Sequence, residues 1–569
     1  MEKENKKKWK FGNYEWHIVG GVAILTFIIG VQGFLPDRDL FDSVYLTIQL
    51  FLMQYGDNGG TININIQVAR FVAPLIVAYA TIKSVYSLFQ KDLGLIFIKD
   101  HVVICGLSDE SMKLLNDLMS RKIKTVLIEN SSVKHNLMNL KTEGALLINA
   151  NPSDIPALSK AKVGRAKAVF LLNEKDEFNI EIVSNIYKLF GEEKSDKRVL
   201  CYVHIYDPVL ERIFKAHKIF REPSDKLYAR VGNIYKRGSE ILINDYFLTG
   251  KNSGSQNERI MIIGMGRTGK SILIQSALFY HSSRGEKLKA TIIDRYASAS
   301  VNRFKNEYPS VFKLLDLDYS ELEMGKLDDD NFYSKLPGEN YKAIYCCAGE
   351  DILRISVIEK LNTILPETRL FVTFEKNSDV SKLINEGDIF KNEDRIITFD
   401  LLEKTCKYNV LINEEIENLA IRIHEKFCDY LRGMGETQES KPFLVNWDLL
   451  GEEFREANRN QAFHMKLKLE TFGFRIVPLD SPEPAVNILK NEELIEKMAR
   501  AEHRRWVDEI LLNGWRYAQG EMDEKKKTRP DILPYDVTSE EIRNINRQMV
   551  CNIPQHIENM GKKIVRAGE

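Results

Sequence analysis

Phe41 to Asp57 reads FDSVYLTIQLFLMQYGD, a short amphipathic run that closes on Tyr-Gly-Asp. On its own it is a loop with a helical turn or two. Its setting decides its meaning: an apolar stretch from His17 to Leu35 precedes it, another from about Val68 to Phe89 succeeds it, and several hundred more polar residues come after. Each stretch is close to the roughly 20 residues an α-helix needs to cross a bilayer. The opening MEKENKKKWK is basic, as in a signal peptide, but no small-residue cleavage site comes after it and a second span is close behind, so a retained helix is expected. Lys3, Lys6, Lys7, Lys8 and Lys10 precede the first span and Lys83 and Lys91 lie at the end of the second, whereas the connection carries Arg38 and Arg70. That asymmetry places both termini in the cytoplasm, with the chain multi-pass in the cell (inner) membrane. Trp9, Trp16, Tyr79 and Tyr86 suit the interfaces, and Asp37, Asp39, Asp42 and Asp57 would concentrate cations outside. Pro74 is expected to kink the second span, and Lys83 to Asp100 to connect that span to the polar remainder of the chain.

The order of span, half-helix, Tyr-Gly-Asp and span resembles the pore module of two-transmembrane potassium channels, in which four loops meet on an axis and backbone carbonyls replace the ion's hydration shell. The aligned residues are Leu52, Met53, Gln54, Tyr55, Gly56 and Asp57, against Thr-Val-Gly-Tyr-Gly-Asp in that family; the last three agree. Gln54 stands where the family has a glycine at positive φ, a conformation that costs a residue with a Cβ about 1–2 kcal/mol. The ion, potassium or another monovalent cation, therefore stays open. A re-entrant loop in a two-helix anchor is the bland alternative.

The 569 residues leave room for three or four domains. A formal net charge of −1 argues against a nucleic-acid partner. The seven cysteines, all beyond the second span, show no metal or redox spacing and read as reduced core thiols.

From His101 strands alternate with helices. HVVICG, SDESMKLLNDLMSRK and TVLIEN open a Rossmann unit, with Glu129 where a ribose hydroxyl would be met. Its glycine fingerprint keeps Gly106 but has Ser108 and Ser111 at the other two positions. The spacing of Asp154, Leu158, Gly164, Ala166, Ala168, Asp176 and Asn179 makes about 99 to 245 resemble the TrkA-N domain, which regulates potassium conductance (RCK). The cycle restarts with RIMIIGMGRTGKSIL at Arg259, where Gly264, Gly266 and Gly269 are intact, Arg267 and Thr268 open the helix, and Asp294 closes the next strand. Amides at such a helix start suit a phosphate. Gly264 to Ser271 also satisfies the Walker A pattern, which would make Lys270 and Ser271 ligands of an NTPase; the tandem context favours the Rossmann reading, and a scaffold that binds nothing remains open for both units.

Near the C-terminus, residues 446–477 pair without a gap with 534–565 at an offset of 88, sharing aromatic-Asp, Glu-Glu, Arg, Asn-Arg, Gly and Ile-Val. Upstream, NLAIRIHEKF answers KMARAEHRRW, setting His424 against His503 and Phe427 against Trp506. Both copies should be helical, each with a buried aromatic and an arginine–carboxylate pair. The second copy resembles the ryanodine-receptor (RyR) repeat domain through Trp506, Gly514-Trp515, Tyr517, a basic stretch, Pro530 and Leu533-Pro534-Tyr535-Asp536. The resemblance implies a nucleotide-like signal, with Trp506, Trp515, Tyr517 and Tyr535 offering aromatic faces and Arg504, Arg505, Lys525, Lys526, Lys527 and Arg529 meeting phosphates. Equally, the aromatics form a small core and the lysines a solvated loop.

The expected architecture is a membrane α-helical pore module of two spans plus pore loop (1–98), two α/β Rossmann-like RCK domains (99–250 and 251–412) and a mainly α repeat region (413–490 and 491–569). The resemblances imply a homotetrameric, non-enzymatic cation channel whose eight cytoplasmic domains form a gating ring. It would answer to a nucleotide such as NAD, ADP, ATP or a cyclic nucleotide, in a stress or antiviral response. A non-conducting tethered sensor and a P-loop NTPase are the rivals. No metal site is expected.

Overall fold

The structure is a computed structural model that describes residues 11–54, 62–130, 145–192, 197–221, 224–246, 259–322, 341–375, 395–412, 414–523 and 525–567, with backbone alone at 11–15, 85–94 and 192. Tyr55, Gly56 and Asp57 lie outside the described residues. The chain forms two compact units, Met1–Ile98 and Lys99–Glu569.

In the first unit α1 (Phe11–Phe34) and α3 (Ile64–Ile96) pack together, and α2 (Leu40–Phe51) lies against both. Trp16–Phe34 and Ile64–Ser84 are long and apolar enough to cross a membrane. At about 18 Å, α2 is too short to do so. Small residues allow the close approach: a Cβ on Gly30 would lie 2.6 Å from Thr47 Cγ2, and one on Gly33 2.7 Å from Ile66 Cγ1. Asp39 caps α2 by accepting from Asp42 N at 2.8 Å, and the Ser43 and Thr47 hydroxyls donate to carbonyls one turn back, which satisfies them in an apolar setting. One expectation changes. Positive φ falls on Met53, at 60°, and not on Gln54, because the chain leaves α2 through a left-handed residue at its C-terminal end. As the resemblance implies for an inner helix, α3 runs on through Pro74 to Ile96, so most of the Lys83 to Asp100 connector is a continuation of that helix.

The second unit contains two six-stranded parallel sheets. The first has the order β3-β2-β1-β4-β5-β6, from Val102–Cys105 (β1), Thr125–Glu129 (β2), Leu146–Asn149 (β3), Ala168–Leu171 (β4), Val199–His204 (β5) and Leu227–Gly232 (β6). The second has the order β12-β11-β10-β7-β8-β9, from Arg259–Ile263 (β7), Leu288–Asp294 (β8), Leu315–Glu321 (β9), Tyr341–Cys346 (β10), Arg369–Phe374 (β11) and Ile396–Asp400 (β12). Each is therefore a 3-2-1-4-5-6 doubly wound sheet, whose strand order reverses between its first and fourth strands, the crevice where such folds take ligands. Near-continuous buried apolar strands such as VVIC and AVFL are what a sheet covered on both faces requires.

The two sheets share helices. Ile234–Tyr246, which comes after β6, packs on Arg267–Arg284, the helix after the second glycine turn. Leu401–Thr405, which comes after β12, packs on Ile234–Tyr246 and on Asp109–Ser120, the helix after the first turn. Leu114, Leu115 and Leu118 belong to the same buried cluster as Leu401, Tyr408 and Leu411; Tyr408 N donates to Asp117 at 2.9 Å, and Lys113 pairs with Glu403.

Beyond Glu414 the repeat recurs in the contacts, at an offset of 79 for the upstream helix that carries Glu417 and His424 and of 88 for the residues from Val445 on. His424 Nε2 meets the Val445 carbonyl at 2.8 Å and His503 Nε2 the Leu533 carbonyl at 2.8 Å. Trp447 and Tyr535 stand edge-on to those two imidazoles. Arg459 pairs with Glu417 and Glu452, and Arg547 with Glu496 and Glu540. Phe474–Pro478 and Lys562–Arg566 form an antiparallel ladder centred on Ile476 opposite Ile564, so equivalent residues face each other across a local two-fold. A helix-only expectation lacked this ladder.

Candidate ligand site

The two glycine turns have nearly the same backbone and different contents. Gly106 has φ 92° and Gly264 φ 99°, and in each the next amide donates to the acid closing the second strand: Leu107 N to Glu129 at 2.6 Å, Met265 N to Asp294 at 2.8 Å. Both acids thus tie down their own turns. Asp294 also accepts from Tyr296 N at 2.8 Å.

At the first turn Ser108 caps its helix by accepting from Ser111 N at 3.2 Å, and its hydroxyl donates to the Leu172 carbonyl at 2.6 Å. Two residues beyond the end of β4, Asn173 donates to the Cys105 carbonyl at 2.8 Å and to Asn179 Oδ1 at 2.9 Å. The polar groups at the crevice are satisfied from within, which leaves a phosphate no uncapped amide at Ser111. Candidates Gly106, Ser108 and Glu129 therefore have structural partners.

At the second turn every corresponding side chain is smaller. Gly266 replaces Ser108, Gly269 replaces Ser111, and Ala348, two residues beyond β10, takes the place of Asn173. The helix Arg267–Arg284 starts without a side-chain cap, and the space around Gly266 is open. A Cβ on Gly269 would stand 2.0 Å from the Gly264 carbonyl oxygen, so the helix sits directly on the turn. Its first amides thus keep the arrangement that receives a phosphate. Thr268 Oγ1 donates to Glu375 at 2.5 Å. Arg267 turns away from the crevice: its guanidinium lies 4.1 Å from the Tyr206 ring centroid, beside Tyr235, joining the two sheets' domains. A residue the sequence reading did not single out is Arg354, eight residues beyond β10 as Asn179 is beyond β4. It is 6% exposed, pairs with Asp351, lies over Phe374, and its Nε has no partner among the described residues. The repeated spacing Asp176–Asn179 and Asp351–Arg354 was the signal that could have found it.

The Walker pattern is not realised as a loop. The helix begins at Arg267, so Lys270 and Ser271 lie inside it, and Lys270 Nζ pairs with Glu307 at 2.8 Å.

The candidates in the second C-terminal copy do not converge. Arg505 is fully enclosed between Glu502 and Glu509, which makes it a core ion pair and not a phosphate ligand. Burial tends to raise the Glu502 carboxyl, but Arg505 and Lys468 hold it down to about 2. Arg504 donates to the Ser282 and Ser283 carbonyls, capping the C-terminal end of Arg267–Arg284. Beside it His281 Nδ1 lies 2.7 Å from Asp508, whose carboxyl burial pushes up. Arg529 lies over Trp506 and Trp515 and pairs with Asp531, filling the aromatic faces expected for a base. Trp515 donates to Glu453, Tyr535 is core, Tyr517 is exposed, Lys525 is exposed, Lys526 pairs with Asp523, and Lys527 donates to the Asn513 carbonyl. Sequence spacing could not give these side-chain directions.

Residues 102–220 match the TrkA-N domain. Residues 485–566 match the RyR domain. Solved structures similar to this chain include "Crystal structure of the GsuK bound to ADP" (14% identity, 71% of this chain, 97% of that one, TM-score 0.39) and "GsuK channel bound to NAD" (12%, 84% and 86%, 0.40). "Structure of the human SLO3 gating ring" is a third (9%, 56% and 84%, 0.38). The chain thus carries a TrkA-N domain and a RyR domain behind two helices of membrane-spanning length.

Proposed function

We propose that this chain is a ligand-gated cation channel of the cell membrane, potassium-type, whose cytoplasmic part binds a nucleotide at the second glycine turn. The observation that carries the reading is the uncapped helix start at Gly266, open where its counterpart at Ser108 is filled. A TrkA-N domain behind a pair of long apolar helices and the short helix Leu40–Phe51 supports the channel half. Domain limits at 99–250, 251–412, 413–490 and 491–569 belong to the proposal, as do a homotetramer with an eight-domain gating ring, cytoplasmic termini and the descent of 413–490 from a degenerate RyR-like repeat. Four identical sites suffice energetically: about 1.4 kcal/mol of differential affinity each sums to about 5.5 kcal/mol, enough to move a gate from 1:99 to 99:1.

The chain would catalyse nothing, and Lys270 held by Glu307 favours that over an NTPase. A tethered sensor without conduction is the second reading, favoured by Leu52, Met53 and Gln54 in place of the family's filter residues. Potassium and sodium flux in liposomes holding the full chain, with and without NAD, ADP, ATP and cyclic nucleotides, separates the two. Nucleotide-dependent flux is expected; binding with no flux under any nucleotide would replace the channel by the sensor. The stress or antiviral setting is the physiological form of the same proposal, read as depolarisation of expressing cells when a messenger appears.

A further inference from the structure

The two C-terminal copies repeat one ionic triad, and only the first is closed by a residue from elsewhere in the fold. In the first copy Arg459 lies between two carboxylates, its Nε donating to Glu417 at 2.6 Å and its Nη1 to Glu452 at 2.8 Å. In the second copy Arg547 repeats both bonds, from Nε to Glu496 at 2.7 Å and from Nη1 to Glu540 at 2.6 Å. The neighbouring arginines match as well: Arg455 donates to the Asp448 carbonyl at 3.0 Å and Arg543 to the Asp536 carbonyl at 3.3 Å.

What differs is the remaining guanidinium nitrogen. Arg459 Nη2 donates to the Tyr228 hydroxyl, which in turn donates to Glu417 at 3.1 Å. Tyr228 stands on β6, the edge strand of the first sheet, and the Arg455 guanidinium lies 4.4 Å from its ring centroid. One phenol therefore closes the triad, its ring against a cation and its hydroxyl between two charged groups. Arg459 is left with 8% of its side chain exposed, and Glu452 is buried. Arg547 Nη2 makes no hydrogen bond among the described residues, 31% of that side chain is exposed, and Glu540 is open to solvent. The bonds of Arg547, Glu496 and Glu540 all come from within the second copy. Tyr535, at the position of Trp447, has its hydroxyl enclosed beside Glu496 without a hydrogen-bond partner among the described residues, so it does not take the part of Tyr228.

Charge separates the two faces further. Asp448 receives Arg198 of the first α/β domain at 2.8 Å, and Arg230 lies 3.9 Å from Glu417, so the first face meets a tyrosine flanked by arginines. The equivalent Asp536 is already held by Arg500, where the first copy has Ile421. A face that carries its own third arginine suits a tyrosine with acidic neighbours. The chain has one on an edge strand: Tyr319 of β9, 49% exposed, with Asp316, Asp318 and Glu321 along the same strand.

We propose that the open triad of Glu496, Arg547 and Glu540 is a contact site between copies of this chain, closed by Tyr319 from the β9 edge of a second copy as Tyr228 closes the first triad within one chain. The site is incomplete without that second copy. The inference rests on the self-association in the proposed function, and neither on the nucleotide nor on conduction.

The test is photocrosslinking of the full chain in detergent, with p-benzoylphenylalanine in place of Val537, an exposed neighbour of Asp536, and a differently tagged chain with Val537 intact co-expressed. Adducts are expected on Leu315–Glu321 of the tagged chain. Tyr319→Phe in the tagged chain, which removes one hydroxyl from an exposed position, and Arg547→Ala in the probe chain should each lower their yield about tenfold, the worth of a hydrogen bond to a charged group. Tyr296→Phe, at another exposed tyrosine, should leave the yield unchanged. Adducts confined to the probe chain, adducts on the tagged chain away from Leu315–Glu321, or an unchanged yield with Tyr319→Phe would overturn the proposal and leave the homotetramer standing. A single-chain mass by light scattering would overturn both.

Discussion

The two glycine turns of this chain share a backbone and differ in occupancy. At the first, Ser108, Ser111 and Asn173 supply the hydrogen bonds that a ligand would otherwise supply; at the second, Gly266, Gly269 and Ala348 supply none, and the helix amides stay open. A fold duplicated in tandem can thus fill the crevice of one copy and leave that of the other open by changes of side chain alone, which is the basis of the proposed receptor role of the second. The lesson is that a positive-φ glycine and a strand-end acid identify the turn, while the residues around it decide whether anything can bind.

The largest effect should come from adding a methyl group where both turns are tightest. Gly264→Ala would put a Cβ 2.4 Å from Ala348 Cβ and 2.7 Å from its backbone nitrogen, at φ 99°, so a loss on the order of 3 kcal/mol or more is expected by chemical denaturation. Gly106→Ala should cost less, because the atoms it meets belong to the Asn173 amide, which can turn aside. Equal losses would show that side-chain filling at the first turn is as rigid as backbone.

Next in size is Asp294→Asn. Two amides, Met265 N and Tyr296 N, use separate oxygens of Asp294, and an amide side chain keeps one acceptor, so a cost of about 1–2 kcal/mol is expected. Glu129→Gln can retain its bond from Leu107 N and should cost less than about 1 kcal/mol. A reversal of that order would mean the acids do not serve the turns in the same way. The smallest effect is expected from Lys270→Ala, which removes a partly exposed pair with Glu307 worth about 1 kcal/mol or less. Nucleotide binding should be unchanged; its loss would restore the phosphate role that the Walker pattern suggests.

Much of this was legible in the sequence because it depends on period and on backbone conformation. HVVICG and RIMIIG announce buried parallel strands, Gly106 and Gly264 occupy turns that need positive φ, and the C-terminal repeat reappears in His424 and His503, bonded to the Val445 and Leu533 carbonyls, which lie at the offset of 88. The half-helix after Asp39 was legible from its amphipathic pattern. What was not legible depends on which way long side chains point. Arg504, Arg505 and Arg529 stand in a basic cluster in the sequence, yet one caps a helix, one is sealed among carboxylates and one covers two tryptophans. Arg354 was invisible for the complementary reason: a helix interior hides a polar residue until tertiary packing shows which groups are left without a partner.

The central claim is that the second turn receives a nucleotide because it lacks the cap that closes the first. The most direct test is a calorimetric titration of the full chain in detergent with ADP and NAD, comparing wild type with Gly266→Ser, which has the space and the backbone conformation for the cap Ser108 provides. The account predicts that Gly266→Ser folds with wild-type stability or better and that the binding at this turn falls at least tenfold. Unchanged binding stoichiometry and affinity in a stably folded Gly266→Ser chain would contradict it.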